Sequence, residues 1–373
     1  MKYYIIAGEA SGDIHAANLM RGIIDKDSKA EFRFWGGDNM ALVGGKDNLV
    51  KHYKETSFMG FVEVAKNLKT ILSQMSLCKK DLLAYAPDVL IMVDYPGFNL
   101  AMAKFAKSKN IKTFYYISPK VWAWKENRVK ALRKYVDKLF VIFPFEVEYF
   151  KKHNIDVVFE GNPSVDYIEQ RLSKIDTEQA FRAQWSLGEA PLIALLAGSR
   201  KTEIANSLPF MVELSQRFPE YQFVVAAVPW LEKSLYDKYL AGSSVKCVED
   251  RTFELLKYSN AAIVTSGTAT LETALVNTPE IVCYRADKLS AWIARNVIKI
   301  RFVSLVNIIM NREIVRELLQ QDMTTDNAEI ELKNILEGGS KREQILKDYQ
   351  ILSEMMGSSG ASKRVASKMI ELM

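Results

Sequence analysis

Apolar residues along the chain fall into short unbroken runs separated by longer stretches with helical spacing, and this alternation recurs from end to end. In the first half, Lys2 to Ala7, Glu31 to Trp35, Val89 to Val93, Ile111 to Ile117, Leu139 to Ile142 and Asp156 to Phe159 read as strands; in the second, Leu192 to Leu196, Phe223 to Val228, Ala261 to Val264 and Glu280 to Tyr284 do. Continuous runs such as VLIMV at Val89 suit strands buried on both faces. After the first strand, Ile14, Ala17, Leu19 and Ile23 recur at helical spacing, so the opening unit is strand, loop, helix. The pattern predicts an α/β protein.

From Ser164 to Ala190 the character changes to one polar helix, Glu169 to Trp185, followed by a Gly-Glu-Ala-Pro break. We therefore expect a first domain over residues 1–165, a linker helix over 166–190 and a second domain over 191–340. Residues 341–373, broken by GSSG at Gly357 to Gly360, are expected to form helices that pack back over the domains. Between Phe58 and Met75, the residues Phe61, Ala65, Leu68, Leu72 and Met75 make one helical stripe expected to be core. Phe58, Met59 and Val62 cluster on another face near Lys66 and Lys69, which suits a membrane surface or acyl chain, or else a hydrophobic staple. Trp292, interleaved with Arg295, Lys299 and Arg301, fits an interfacial helix or a half-buried core helix.

Composition narrows the class. With 373 residues the chain can bury sizeable cores in about two domains, and its 49% hydrophobic and 25% charged content is that of a folded soluble protein. The net charge of +5 suits an anionic ligand or surface without demanding nucleic acid. Lys120 to Lys138 holds seven basic and two acidic residues together with Trp122 and Trp124. Such amphipathic residues favour interfaces, and no nucleic-acid module signature accompanies them. Cys78, Cys247 and Cys283 have no paired spacing, so neither a disulfide framework nor a zinc site is expected. The apolar run before Gly8 is too short for a signal segment, and no stretch approaches the length of a spanning helix. A cytoplasmic or membrane-peripheral protein is expected.

The candidate chemistry gathers at strand ends. Val264 to Leu275 reads as strand end, small-residue turn and helix start, with Ser266 and Gly267 in the turn and Thr268 or Thr270 as cap. Free N–H groups at such a helix end, together with its dipole, favour an anion. Glu272 then reaches the hydroxyls of a bound ribose or merely offsets the dipole. A second turn, Gly198-Ser199-Arg200, offers backbone and hydroxyl donors and a guanidinium suited to phosphate. In the first half, GEASGD at Gly8 to Asp13 lacks the G-x-G-x-x-G of a dinucleotide fold, which argues against a nicotinamide oxidoreductase. Asp13 is read as an N-cap, Glu9 as a ligand candidate and His15 as structural or solvated. Asp94, at the end of the Val89 to Val93 run, is either a general base or a cap of the following turn. Asp25 and Asp27 spell D-x-D, but they follow the first helix and so fall at the edge opposite the ligand-binding strand ends.

These motifs together resemble lipid-A-disaccharide synthases over nearly the whole length: GEASGD at Gly8, MGFVEV at Met59, SPKVWAWK at Ser118, GSR at Gly198, TSGTATLE at Thr265, and the NIIMNR and ELLQ block near Asn307 and Glu317 occur in that family's order. The chain departs from the family at Ala197 and Val306, where proline is usual, and near Asn162, where the family has histidine. The resemblance implies a GT-B architecture, two Rossmann-like doubly wound domains with a ligand cleft between them. It implies an inverting hexosyltransferase that joins UDP-2,3-diacylglucosamine to 2,3-diacylglucosamine 1-phosphate (lipid X) through a β-1,6 bond, with neither cofactor nor metal. By position, Gly198, Ser199, Arg200, Ser266, Gly267, Thr268, Glu272 and Asn307 belong to the UDP side and Glu9 and Asp94 to the acceptor side. Phe58, Met59, Phe61, Val62, Trp122, Trp124 and Trp292 become membrane or acyl contacts on the inner leaflet. Nucleic acid is not implied; monomer or homodimer stays open. A sugar-nucleotide epimerase of the same fold and a non-catalytic sugar-nucleotide or lipid-binding protein are the remaining readings.

Overall fold

The computed structural model describes residues 1–55, 67–124, 126–285 and 301–373. The chain divides into two compact units, one of Met1–Asp166 with Met356–Met373 and the other of Tyr167–Met355. In the first unit seven strands, β1 (Lys2–Ala7), β2 (Glu31–Gly36), β3 (Leu49–His52), β4 (Val89–Val93), β5 (Lys112–Tyr116), β6 (Lys138–Val141) and β7 (Val157–Phe159), form one sheet in the order β3-β2-β1-β4-β5-β6-β7. Every pairing is parallel. The second unit repeats the plan with β8 (Leu192–Leu196), β9 (Gln222–Ala227), β10 (Lys246–Glu249), β11 (Ser259–Thr265), β12 (Glu280–Tyr284) and β13 (Glu317–Leu319), ordered β10-β9-β8-β11-β12-β13 and again parallel. Both sheets are doubly wound: the chain walks outward from β1 or β8, returns to the other side of that strand, and walks outward again.

Side-chain alternation explains why helices cover both faces of the first sheet. Tyr3, Ile5 and Ala7 of β1 point into a core formed with the Ala10–Lys26 helix, while Tyr4 and Ile6 point into the opposite core with the Leu68–Tyr85 and Pro96–Ser108 helices. The helix Ala361–Glu371 closes the first of these cores through Val365, Ala366 and Met369. It lies so near the Ala10–Lys26 helix that a Cβ on Gly22 would stand 3.0 Å from that of Ala366. Asp166 caps it, accepting from the backbone N–H groups of Gly360, Ala361 and Ser362 at 2.6, 3.1 and 2.9 Å.

Several sequence expectations change here. The single polar helix at 169–185 is two, Pro163–Leu172 and Glu178–Gln184, because Thr177 starts a new helix by accepting from the Ala180 N–H. Phe181 is buried in the core of the second unit rather than in a free linker. Leu72, expected in a core stripe, is 58% exposed, whereas Met75 packs on the core; the helix itself runs over Leu68–Tyr85. Asp13 caps a helix, but not its own. Its buried carboxylate accepts from the N–H groups of Gly37, Asn39 and Met40 at 2.7, 3.0 and 3.1 Å and so caps the Asp38–Gly44 helix.

Candidate functional site

In a doubly wound sheet the connections on either side of the central strand lead to opposite faces, and a crevice opens beyond the strand ends at that point. In the first unit this happens between β1 and β4, whose last residues, Ala7 and Val93, are paired. The residues that follow are Gly8-Glu9 and Asp94-Tyr95. Gly8 is glycine because the Tyr95 ring lies on it: a Cβ would stand 2.2 Å from the ring. Asp94 and Tyr95 both adopt left-handed backbone, φ 44° and 50°, and Ile117 at the end of neighbouring β5 does so at φ 62°. A β-branched residue rarely takes that conformation, and each such residue costs about 1–3 kcal/mol, so strain is concentrated at these strand ends.

The backbone of Asp94 is held from three sides. Its N–H donates to the Tyr116 carbonyl at 3.1 Å, while its carbonyl accepts from the Tyr115 hydroxyl at 2.6 Å and the Asn99 amide at 2.7 Å. Burial raises the Asp94 carboxyl to about 6, assisted by the negative charge of Glu9 and opposed by the positive charge of Lys120. Glu9 stands at the start of the Ala10–Lys26 helix without capping it; its carboxylate accepts from the Ser11 hydroxyl at 2.9 Å. The loop that carries Lys120 is organised by Glu146, which the sequence alone does not single out. This buried carboxylate accepts from the Ser118 hydroxyl at 2.6 Å, the Trp122 indole at 3.1 Å and the backbone of Ile142 and Phe143 at 3.1 and 3.0 Å. Trp122 is thus turned inward, against Phe143 and Phe145, while Trp124 is 39% exposed with the Arg128 guanidinium 5.6 Å from its ring centre. His15 lies apart from this chemistry; burial lowers it to about 4, so it is neutral near pH 7.

The second unit reverses between β8 and β11, where Leu196 pairs with Val264. The turn after β11 leads into the Thr268–Leu275 helix, with Gly267 and Thr268 exposed at its start. Neither threonine caps it: Gly267 is the N-cap, and the Thr270 hydroxyl is buried, donating to the Gly267 carbonyl at 2.9 Å and accepting from the Leu305 N–H at 3.2 Å. The Ser266 hydroxyl donates to the Val303 carbonyl at 3.0 Å. Glu272 is half-buried, its carboxylate makes no hydrogen bond or ion pair among the described residues, and burial raises it to about 7.

The turn after β8 has its own anion. The N–H groups of Ser199 and Arg200 donate to the Glu203 carboxylate at 2.9 and 3.2 Å, and the Arg200 guanidinium, 65% exposed, pairs with the same group at 2.8 Å. The amides expected to be free for phosphate are therefore used in closing the start of the Lys201–Ser215 helix. Gly198, at φ 111°, is glycine because a Cβ would stand 2.5 Å from that of Glu203. Asn307 is fully buried with its amide saturated. Its oxygen accepts from the N–H groups of Ile314 and Val315, and its nitrogen donates to the Val315 carbonyl and to Glu317. Phe58, Met59, Phe61, Val62 and Trp292 lie outside the described residues. The Asp25 and Asp27 pair sits at the strand-start edge, where Asp27 binds the N-terminal ammonium at 2.8 Å and Asp25 pairs with Lys363.

The chain resembles known proteins both in sequence and in fold. Residues 3–369 match the family model described as lipid-A-disaccharide synthetase. The lipid-A-disaccharide synthase of Myxococcus xanthus is 35% identical, with 99% of this chain and 97% of that protein aligned. Among solved structures, a UDP-GlcNAc 2-epimerase from Neisseria meningitidis bound to UDP-GlcNAc superposes with a TM-score of 0.67 over 100% of both chains at 14% identity. A glycosyltransferase of kitacinnamycin does so with 0.64 over 99% and 98% at 12%. At such identities these two likenesses speak to fold alone, and the fold is α/β of the GT-B class. By its sequence over almost the full length, the chain belongs to the lipid-A-disaccharide synthase family of glycosyltransferases.

Proposed function

We propose that the chain transfers 2,3-diacylglucosamine from its UDP derivative to the 6′-hydroxyl of 2,3-diacylglucosamine 1-phosphate, releasing UDP and forming a β-1,6 bond. The observation that supports the assignment of residues is a partly desolvated carboxyl near each of the two reversal points, Asp94 in the first unit and Glu272 in the second. Asp94 follows β4, and the Ser266–Glu272 segment follows β11, each beside the central strand of its sheet. Inversion from an α donor to a β product requires one displacement. Asp94 takes the proton of the attacking hydroxyl, and a carboxyl poised near 6 is both largely ionised at neutral pH and basic enough to accept it. Glu9 raises that basicity by like-charge repulsion.

On the donor side, the exposed start of the Thr268–Leu275 helix receives the diphosphate, where unpaired N–H groups and the helix dipole stabilise the charge that develops as UDP leaves. Arg200 adds a cation there, acting through its guanidinium because the neighbouring amides are engaged by Glu203. Glu272 accepts from the ribose hydroxyls. Asn307 supports this side from within and does not touch ligand. No step is routed through a metal or cofactor. Acyl chains and the inner-leaflet surface are met by Phe58, Met59, Phe61, Val62 and Trp292, with Trp124 as the exposed indole of the basic segment. Trp122 contributes by holding that segment. No helix among the described residues is long and apolar enough to cross a membrane. The acylated substrates favour peripheral association on the cytoplasmic side.

The test is direct. Wild-type protein is incubated with both acylated substrates and EDTA, and the product is sought by mass spectrometry. The tetraacyl disaccharide phosphate is expected; folded protein that binds UDP yet forms none of it overturns the proposal.

A further inference from the structure

One part-buried polar arrangement lies behind the donor-side turn. The carboxylate of Glu317, the first residue of β13, accepts from the Val303 N–H at 3.0 Å, the Ser304 N–H at 2.9 Å, the Ser304 hydroxyl at 2.8 Å and the Asn307 amide at 2.9 Å. Four donor groups from one short segment thus converge on one side chain. Segment 303–307 in turn grips the turn after β11 at two points: the Val303 carbonyl accepts from the Ser266 hydroxyl at 3.0 Å, and the Leu305 N–H donates to the Thr270 hydroxyl at 3.2 Å. Thr270 passes the contact on to the Gly267 carbonyl at 2.9 Å. Residues 266, 267 and 270 are the frame of the exposed helix start.

We infer that Glu317 is a positioning residue for the nucleotide diphosphate: it sets segment 303–307, which fixes the Ser266–Thr270 turn in the geometry that presents its free N–H groups to phosphate. This deepens the proposed function and rests on its donor-side reading. The physical reason lies in the number of donors. Oε1 alone receives the Ser304 N–H, the Ser304 hydroxyl and the Asn307 amide, and a further contact from Val303 at 3.2 Å. The carboxylate meets them with a negative charge and two acceptor oxygens, whereas the amide of Glu317→Gln has one neutral acceptor oxygen and sets an NH₂ donor against the remaining N–H groups. Glu317→Gln therefore keeps the shape of the side chain and loosens the segment it holds. A turn displaced by a fraction of an ångström presents its amides poorly to a rigid diphosphate.

The experiment is a double-mutant cycle read by UDP binding in titration calorimetry, with melting temperatures recorded alongside. Glu317→Gln is expected to weaken UDP about tenfold, and Ser266→Ala, which cuts one of the two links between segment and turn, to weaken it by up to as much. Because Ser266 is one of the routes by which Glu317 acts on the turn, the double variant should bind clearly better than the product of the two single effects predicts. A purely structural role for Glu317 lowers the melting temperature and leaves the UDP affinity of folded protein unchanged. The proposal is overturned if E317Q binds UDP as wild type does, or if the two effects multiply in full. Should E317Q not fold, Ser304→Ala removes one donor to the same carboxylate and takes its place in the cycle with the same expected non-additivity. Wild-type protein that fails to bind UDP overturns the donor-side reading itself and the proposal with it; wild-type binding with an unaffected E317Q overturns the positioning role alone.

Discussion

Replacing Asp94 by asparagine separates the two consequences of its burial. The substitution is nearly isosteric and keeps the backbone contacts with Tyr115, Tyr116 and Asn99, which involve main-chain atoms of residue 94. What it removes is the proton acceptor, and general-base catalysis of this kind contributes about 10²- to 10⁴-fold in rate. Transfer should fall by that amount in a mass-spectrometric assay, with the affinity for UDP, assigned to the other unit, unchanged. The stability effect has the opposite sign. The carboxyl rises from 3.8 to about 6 on folding, so the folded state binds its proton more tightly than the unfolded one. Wild-type stability from this group is fully present below the unfolded value and is lost as pH climbs through about 6, by up to about 3 kcal/mol at higher pH. The amide of the variant carries no charge to desolvate. Urea melts should therefore find D94N more stable than wild type near pH 8, the difference vanishing towards pH 4, about the unfolded value. Undiminished turnover removes Asp94 from the chemistry; a variant less stable than wild type near pH 8 refutes the account of its burial, since about that pH the wild-type charge is fully formed.

Three further outcomes follow from the same geometry. Glu9→Gln should shift the acid limb of the kcat/KM profile to lower pH, because the Glu9 charge helps raise Asp94; a limb that stays in place or moves upward contradicts the coupling. UDP affinity should weaken as pH falls through about 7 while Glu272 takes up its proton, and Glu272→Gln should abolish that dependence in calorimetric titrations. Asp13→Ala should cost about 2–3 kcal/mol in denaturant unfolding, because it orphans the buried N–H groups of Gly37 and Met40, yet leave UDP affinity as it was.

Legibility from sequence followed the length of the apolar run, which is greatest deep in the sheet; the edge strand β7 was still marked by Val157, Val158 and Phe159. Strands β1, β4, β8 and β12, each an unbroken or nearly unbroken apolar run, sit in the inner part of a sheet where both faces are covered, and the pattern reports that burial directly. The unread strands β3, β10 and β13 are all edge strands of three or four residues with at most one buried side chain each, so no apolar run marks them. The same limit applied to polar groups. A carboxylate at a strand end is visible as Asp94 or Glu9, but the partner that uses a polar group is not: Asp13 caps a helix more than twenty residues away, Trp122 reaches back to Glu146, and Asn307 spends its amide on residues 314–317.

The order of residues by itself determined the α/β class, the two repeated strand-and-helix halves and the carboxylate and small-residue turns at their strand ends, because these are consequences of local periodicity and of which residues can end a strand or begin a helix. Only the tertiary structure decided which of those turns keeps free donors. Glu203, the third residue of the helix that follows, fills the turn after β8, whereas the turn after β11 is braced by Val303 and Leu305 from elsewhere in the chain and leaves Gly267 and Thr268 open. A hydrogen-bond donor is available for ligand only when nothing in the folded chain has already taken it, and that is settled by packing rather than by spacing.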